Sequence, residues 1–259
     1  TTAGKKTVWA VVNGKNLSSV KTLTELKAEA VKLEDNSKTG GFVMAGSGTC
    51  TVGTSEETCS VSVSRLVSRI ALRSVTNNLP SSLGSLEIRN VFISNVVGNQ
   101  NIGGSAAAST WYNKEGRADE SSRDKTHIIN GSTYKASCPD LTYNGTITEV
   151  SNGSAYTPST PYLFYGFPNS STTKPDGFST TFAAQRTVLV VTAAVDGKVQ
   201  YYPVFLDNAL LERNKTYTVG LTITGLGSDD PNKEVQKGSV KVSISVANWT
   251  SGATYDETI

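Results

Sequence analysis

A chain of 259 residues is long enough for one or two domains, and a formal net charge of +2 gives no electrostatic case for nucleic acid, a membrane surface or an acidic substrate. Only 18% of it is charged, and no apolar run approaches the roughly 18 residues of a membrane-spanning helix. The chain starts at Thr1 and Met44 is its one methionine, so it is expected to be a processed or trimmed product whose signal peptide is gone.

Residues 6–12 read as a strand closed by Asn13-Gly14. Thr22-Leu23-Thr24-Glu25 is a capping-box pattern, and Leu23, Leu26, Ala30 and Leu33 follow at helical spacing, which predicts a helix over 23–33. Gly40-Gly41 ends it, and 42–45 returns to a strand. Cys50 and Cys59 flank a stretch that reads as a hairpin loop. They are either a disulfide, worth roughly 2–3 kcal/mol for so short a closure and suited to an oxidising exterior, or two reduced thiols on small strand residues. Cys138, before Pro139, reads as a lone thiol. Residues 60–75 form a long strand with a change of phase: Val61 and Val63 share one parity, while Leu66, Ile70 and Leu72 take the other, which predicts a bulge near Ser64-Arg65. Arg65 and Arg69 share a face, either for contacts between domains or subunits or as a solvated surface.

The polar, proline-bearing stretch 77–82 is the expected domain boundary. It divides the chain into an N-terminal domain 1–78, a C-terminal domain 79–249 and a tail 250–259. Residues 86–97 form another strand. Residues 99–157 are rich in Gly, Ser and Asn, with a mixed-charge stretch 114–125 that reads as a solvated loop. An aromatic strand spans 162–167. Strands 187–195 and 198–206 flank Asp196-Gly197, a strong hairpin signal. Near the end, Tyr217, Val219, Leu221 and Ile223 alternate with threonines, and Val240, Val242, Ile244 and Val246 alternate with Lys241, Ser243 and Ser245. That period of two predicts a pair of half-buried strands. After Trp249 comes a tail in which Ala253, Tyr255 and Ile259 share a parity that Glu257 interrupts, with Gly252 as a hinge. A terminal strand with nothing after it to pair with is either frayed or available to a neighbour.

Candidates for catalysis are weak. His127 is the only histidine, so neither a usual zinc site nor a His-based triad has its parts. Asp229, Asp230, Asn232 and Glu234 offer clustered oxygens, but the spacing is not that of a calcium loop and Pro231 makes the segment a turn. Asp119-Glu120 and Glu56-Glu57 are adjacent carboxylates that face opposite ways on a strand or are hydrated in a loop. Trp111-Tyr112 and Tyr201-Tyr202 are either platforms for a sugar or peptide or half-core strand residues. Asn144-Gly145-Thr146 matches a glycosylation pattern that this composition produces by chance. No catalytic, metal-binding or cofactor-binding residue is assigned.

Three blocks carry a family resemblance: Leu211-Glu212-Arg213-Asn214-Lys215-Thr216-Tyr217, then 221–232, then 242–249. Together they resemble the C-terminal signature of the fimbrillins, the major fimbrial subunits or type V pilins of Gram-negative oral and gut bacteria. Residues 6–14, 41–46 and 63–70 resemble that family's N-terminal domain in the same order. The resemblance implies an all-β fold of two transthyretin-like β-sandwich domains with one short helix in the first. Relatives have further strand sequence before the segment matching 6–13, so Thr1 is expected to lie well inside the N-terminal domain. It also implies a structural role, without enzymatic activity or cofactor. The expected partners are a homopolymer of identical subunits, minor tip and anchor pilins, and a host or bacterial surface receptor, with no nucleic acid and no direct membrane insertion. The expected location is an extracellular, cell-surface fimbrium, reached through the outer membrane with the N-terminus processed. In that family the C-terminal tail of one subunit fills a groove in the next subunit's N-terminal domain as an added strand. Carried onto this chain, the donor residues are Trp249, Ala253, Tyr255, Glu257 and Ile259. The alternatives are a tip or anchor pilin of the same family, or a monomeric adhesin or glycan-binding sandwich using Trp111, Tyr112 or 99–125.

Overall fold

A computed structural model describes residues 3–36, 41–54, 58–104, 108–112, 127–129, 132–135, 142–143, 148–173, 184–206 and 211–250, of which 127–129, 132–135, 142, 143 and 148 are described by backbone alone. The first elements are β1 (Gly4–Val12), helix α1 (Leu23–Ala28), β2 (Ala30–Lys32), β3 (Met44–Val52) and β4 (Ser64–Arg65). Then come β5 (Ser68–Asn77), β6 (Leu86–Ser94), β7 (Val96–Val97), β8 (Asn99–Asn101), β9 (Thr110–Tyr112), β10 (His127–Ile129), β11 (Ser132–Lys135), β12 (Thr142–Tyr143), β13 (Thr148–Val150), β14 (Ala155–Tyr156) and β15 (Tyr162–Gly166). The last four are β16 (Val188–Val195), β17 (Lys198–Phe205), β18 (Lys215–Ile223) and β19 (Val240–Asn248). The fold is all-β with one short α-helix among the described residues, as the sequence predicts.

Two sheets enclose most of the core. One runs β12-β6-β16-β17 with β13 also on β6, and the other runs β14-β5-β18-β19 with β15 also on β5. Ile70, Leu72 and Val75 of β5 and Tyr217, Val219, Leu221 and Ile223 of β18 meet Val91, Ile93, Leu189, Val191 and Ala193 in one buried cluster. Each sheet has a bulge that lets its inner face change parity. In β5 the ladder to β18 skips Arg73, and in β6 the ladder to β16 skips Arg89. An unpaired extra residue moves the following side chains to the other face, so Leu72 and Val75 both point inward. The bulge expected at Ser64-Arg65 thus lies further along, and the predicted strand 60–75 is instead broken at 66–67 between β4 and β5. Asp196 and Gly197 both have positive φ at the β16–β17 hairpin, 49° and 72°, as a two-residue turn of this twist requires.

A smaller sheet, β1-β3-β4, holds the N-terminal segment. Its ladders do not extend to the boundary expected at 78/79. Leu66 donates its N–H to Val43 O at 3.0 Å, whereas Val67 O accepts from Asn214 at 2.9 Å, so the change from one sheet system to the other falls between adjacent residues. β5 then pairs throughout with strands from the C-terminal part. The proline-bearing stretch 77–82 lies in the connection from β5 in one sheet to β6 in the other.

The helix is shorter than predicted. Thr22 Oγ1 accepts from the Glu25 N–H at 3.1 Å and Glu25 Oε2 accepts from the Thr22 N–H at 3.0 Å, so the capping box starts α1 as the sequence indicates. It ends at Ala28 because 30–32 leaves as β2 to pair with β8, and Ile102 and Gly103 donate to the carbonyls of Glu29 and Lys27 at 3.0 and 2.9 Å. Tertiary pairing overrides the helical spacing.

Candidate functional site

β19 delivers the chain to Trp249, whose N–H donates to Asn214 O at 2.8 Å. The indole is 3% exposed. It stacks on Tyr165, with centroids 5.7 Å apart and planes at 15°, and meets Phe42 edge-on at 5.0 Å. The guanidinium carbons of Arg65 and Arg69 lie 4.3 and 4.7 Å from its centroid, and Arg65 Nη1 donates to the Trp249 carbonyl at 3.2 Å. A desolvated cation over an indole is worth about 2 kcal/mol, and this ring has two. Arg69 is steadied by donating from Nε to Thr216 Oγ1 at 3.2 Å. Phe42 and Arg65 belong to the N-terminal sheet system, and Arg69, Tyr165 and Trp249 to the other. The two arginines therefore lie at the junction, buried rather than on a solvated face.

Trp249, grouped by the sequence with the donor segment, is packed within its own chain. Ala253, Tyr255, Glu257 and Ile259 lie outside the described residues. What the site fixes is the tail's root. Neither Phe42 nor Tyr165 was legible as a partner: Arg65 and Trp249 are 184 positions apart, and no periodicity links them.

The second half of the site is β1. It pairs with β3 over all nine residues and is an edge strand of its sheet among the described residues. Its burial is incomplete: Val8 is 36% exposed, Trp9, Ala10, Val11 and Val12 are half-buried, and Lys27 Nζ sits 4.9 Å over the Trp9 ring. An edge of this kind displays free backbone donors and acceptors. The chain returning to β4 packs closely against β3. A Cβ at Gly46 would come within 1.9 Å of Ser62 O and one at Gly48 within 2.6 Å of Ser60 O, so only glycine lets the returning chain lie this close. Cys50 and Cys59 are joined there as a disulfide, with Cα atoms 5.7 Å apart, which clips that return to β3.

The remaining candidates resolve as structure. Trp111 and Tyr112 are 3% and 1% exposed, and Tyr112 Oη donates to Glu34 Oε1 at 2.6 Å, so they are core residues rather than a binding platform. Tyr202 is fully buried, and Tyr201 packs on Phe92, Val188 and Val190. Asp230 Oδ1 accepts from the Asn232 N–H at 2.8 Å, a local turn between β18 and β19. Among the described residues no group of three His, Cys, Asp or Glu is placed to hold a metal ion. The His127 backbone pairs with Tyr134 in β10–β11. Glu56, Glu57, Asp119, Glu120, Cys138, Asn144 and the stretch 114–125 lie outside the described residues. The half-burial expected of β19 holds for Val240 and Ile244 only. Val242 and Val246 are 41% and 48% exposed, and Val242 lines a groove of about 640 Å³ with Pro203, Val204 and Phe205.

Similar solved structures include a candidate cell adhesion protein from Bacteroides eggerthii, with a TM-score of 0.64 at 20% identity, covering 94% of this chain and 78% of that one. Another candidate cell adhesion protein, from Parabacteroides distasonis, has a TM-score of 0.62 at 18% identity, covering 96% and 84%. A fimbrilin from Porphyromonas gingivalis has a TM-score of 0.63 at 16% identity, covering 95% and 80%. No protein-family model and no curated protein matches the sequence. At these identities the likeness establishes a shared fold, and it agrees with the fimbrillin resemblance read from the sequence.

Proposed function

We propose that the chain is a stalk-forming structural subunit of a bacterial surface fimbria, without enzymatic activity, which polymerises head-to-tail. The observation that carries this reading is the edge strand β1 with its incompletely buried apolar residues. The tail of a neighbouring subunit, leaving its own Trp249, adds to that edge as a strand. Two units meet at 66–67: an N-terminal acceptor unit and a C-terminal sandwich that holds the tail's root. About three apolar side chains buried at roughly 1.5–3 kcal/mol each, with about eight backbone hydrogen bonds near 1 kcal/mol net apiece, exceed much of an association cost of roughly 4–15 kcal/mol. Strand addition of this heterologous kind propagates rather than closing as a dimer. The similarity in fold to a fimbrilin supports the same reading, and the described helix is far too short to cross a membrane. A cell-surface location and a fimbrial partner set follow from it.

Electron microscopy of the full chain beside a variant truncated after Trp249 tests this. Filaments from the full chain and none from the truncation are expected. Filaments from both would place the polymer contacts elsewhere, and none from either would remove the stalk assignment.

A further inference from the structure

We infer that the Cys50–Cys59 disulfide is a thiol–disulfide exchange site, reduced by a small dithiol in the folded protein, and that its reduction lets residues 58–63 lift from one face of the β1–β3 pair. This concerns the N-terminal sheet alone and is independent of strand addition by the tail. The two ends of the bond are unequal. Cys50 lies in β3 and is 8% exposed, whereas Cys59 is exposed, in a stretch that belongs to no strand. An incoming thiolate therefore reaches the sulfur of Cys59, with Cys50 as the departing group.

What the bond holds follows from the pairing. β3 and the returning chain form a ladder at Met44–Arg65 and Ala45–Ser64. Residues 58–63 carry no strand pairing and lie across a face instead. A side chain on Gly46 would point at Ser62 O, and one on Gly48 at Ser60 O and the Val61 Cγ2 methyl. Ala10 and Val8 are the β1 partners of Gly46 and Gly48, and directly opposed residues of an antiparallel pair share a face. The strap 58–63 thus crosses the face that carries Val8 and Ala10. Cys50 has the parity of Gly46 and Gly48, so the bond fastens one end of the strap on that face, and the short ladder at Met44 and Ala45 fastens the other. Thr58, Cys59, Ser60 and Ser62 are exposed, and Val61 and Val63 are half-buried. A segment with so little burial and no ladder opens locally once its covalent hold is gone.

In the exchange, one thiolate of the dithiol attacks Sγ of Cys59. The Cys50–Cys59 bond breaks, its electron pair leaves on Cys50, and that sulfur takes up a proton. The second thiol of the reductant then attacks the reductant's own sulfur in the mixed disulfide and expels Cys59, which is protonated in turn. The dithiol is oxidised by two electrons to a cyclic disulfide, and the two cysteines are reduced to thiols. A monothiol stalls after the first step. Cys50, with its Cα 5.7 Å from that of Cys59, is tethered at an effective concentration of roughly millimolar or more and attacks the mixed disulfide back.

The test uses the full chain carrying Cys138→Ser, which leaves Cys50 and Cys59 as its only cysteines. Without denaturant, dithiothreitol should free both, counted by mass after alkylation. Glutathione at the same thiol concentration, about 1 mM, should free at least tenfold fewer. In methyl-labelled protein, the nuclear Overhauser contact between the Val61 methyls and the Gly48 Hα protons should be present when oxidised, at least tenfold weaker when reduced, and restored on reoxidation. Amide protection in β16 and β18 should stay as it was. The Cys50→Ala, Cys59→Ala double variant, which has no thiol to react at the site, should reproduce the reduced spectrum. Resistance to dithiothreitol until denaturant is added overturns the proposal, as does equal reduction by glutathione. A Val61–Gly48 contact that persists in the reduced chain or in the double variant shows that the strap does not need the bond, and overturns it too. Loss of protection in β16 and β18 along with the strap would make the bond a support of the whole fold and end its reading as a local switch.

Discussion

The C-terminal sandwich and the N-terminal sheet are made of similar strands but are finished differently. β16 is buried along its whole length on both faces, between β6 and β17. β1, a strand of comparable length, has a single partner strand among the described residues and no fully buried residue. The sandwich thus carries the stability, while the small sheet is left with unused hydrogen-bonding and apolar capacity.

The largest expected effect contrasts the two regions directly. Leu189→Ala, at a fully buried position of β16, should lower unfolding free energy by about 2–5 kcal/mol through lost transfer energy and a residual cavity. Val8→Ala should cost about 0.5 kcal/mol or less in the isolated subunit. Denaturant midpoints measure both. Equal losses would mean that β1 is part of the stability core rather than a spare edge.

A middle-sized effect isolates the N-terminal sheet. Cys59→Ser opens the clip between β3 and the returning chain, and a closure this short contributes roughly 2–3 kcal/mol. Amide exchange should then accelerate in β1 and β3 while protection in β16 and β18 stays as it was, because stability differs between cooperative units. A uniform increase in exchange would show that the two regions unfold as one.

The sequence was most informative where a signal is local. Period-two alternation placed β18 and β19, Asp196-Gly197 placed the hairpin turn, and Thr22 to Glu25 placed the start of α1. It was misleading where a distant partner decides. α1 ends early because β8, some 70 positions on, takes 30–32 into a ladder. The stretch 77–82 carries turn chemistry, which is the same within a domain as between domains. Trp249 is enclosed by Phe42, Arg65, Arg69 and Tyr165, a grouping made by topology alone. β19 shows the converse: its alternation predicts a covered face, and Val242 and Val246, two of its four valine or isoleucine positions, are exposed.

The smallest effects separate the two regions by pH. Backbone N–H groups of Lys21 and Thr22, the former at 2.7 Å, hold the Glu25 carboxyl below its ordinary value near 4.5. A depressed carboxylate contributes stability that is present above the ordinary value and lost as pH falls through the folded one. Mild acid should therefore loosen α1 first, with no effect on the sandwich. At the alkaline end, burial pushes the Tyr202 and Tyr217 hydroxyls upward, against the backbone hydrogen bonds from Gly227 and Glu212. For a raised tyrosine the stabilisation is complete below the ordinary value near 10 and is lost as pH rises above it. Base should therefore weaken the sandwich, and Tyr202→Phe should flatten that alkaline slope. Thr22→Ala serves as the control: it removes one member of the capping box, should cost about 1 kcal/mol, and should leave the alkaline slope unchanged. Residue-resolved exchange across the acid range decides the matter, since acid loosening that began in β16 or β18 rather than at α1 would reverse the assignment of which region is the weaker.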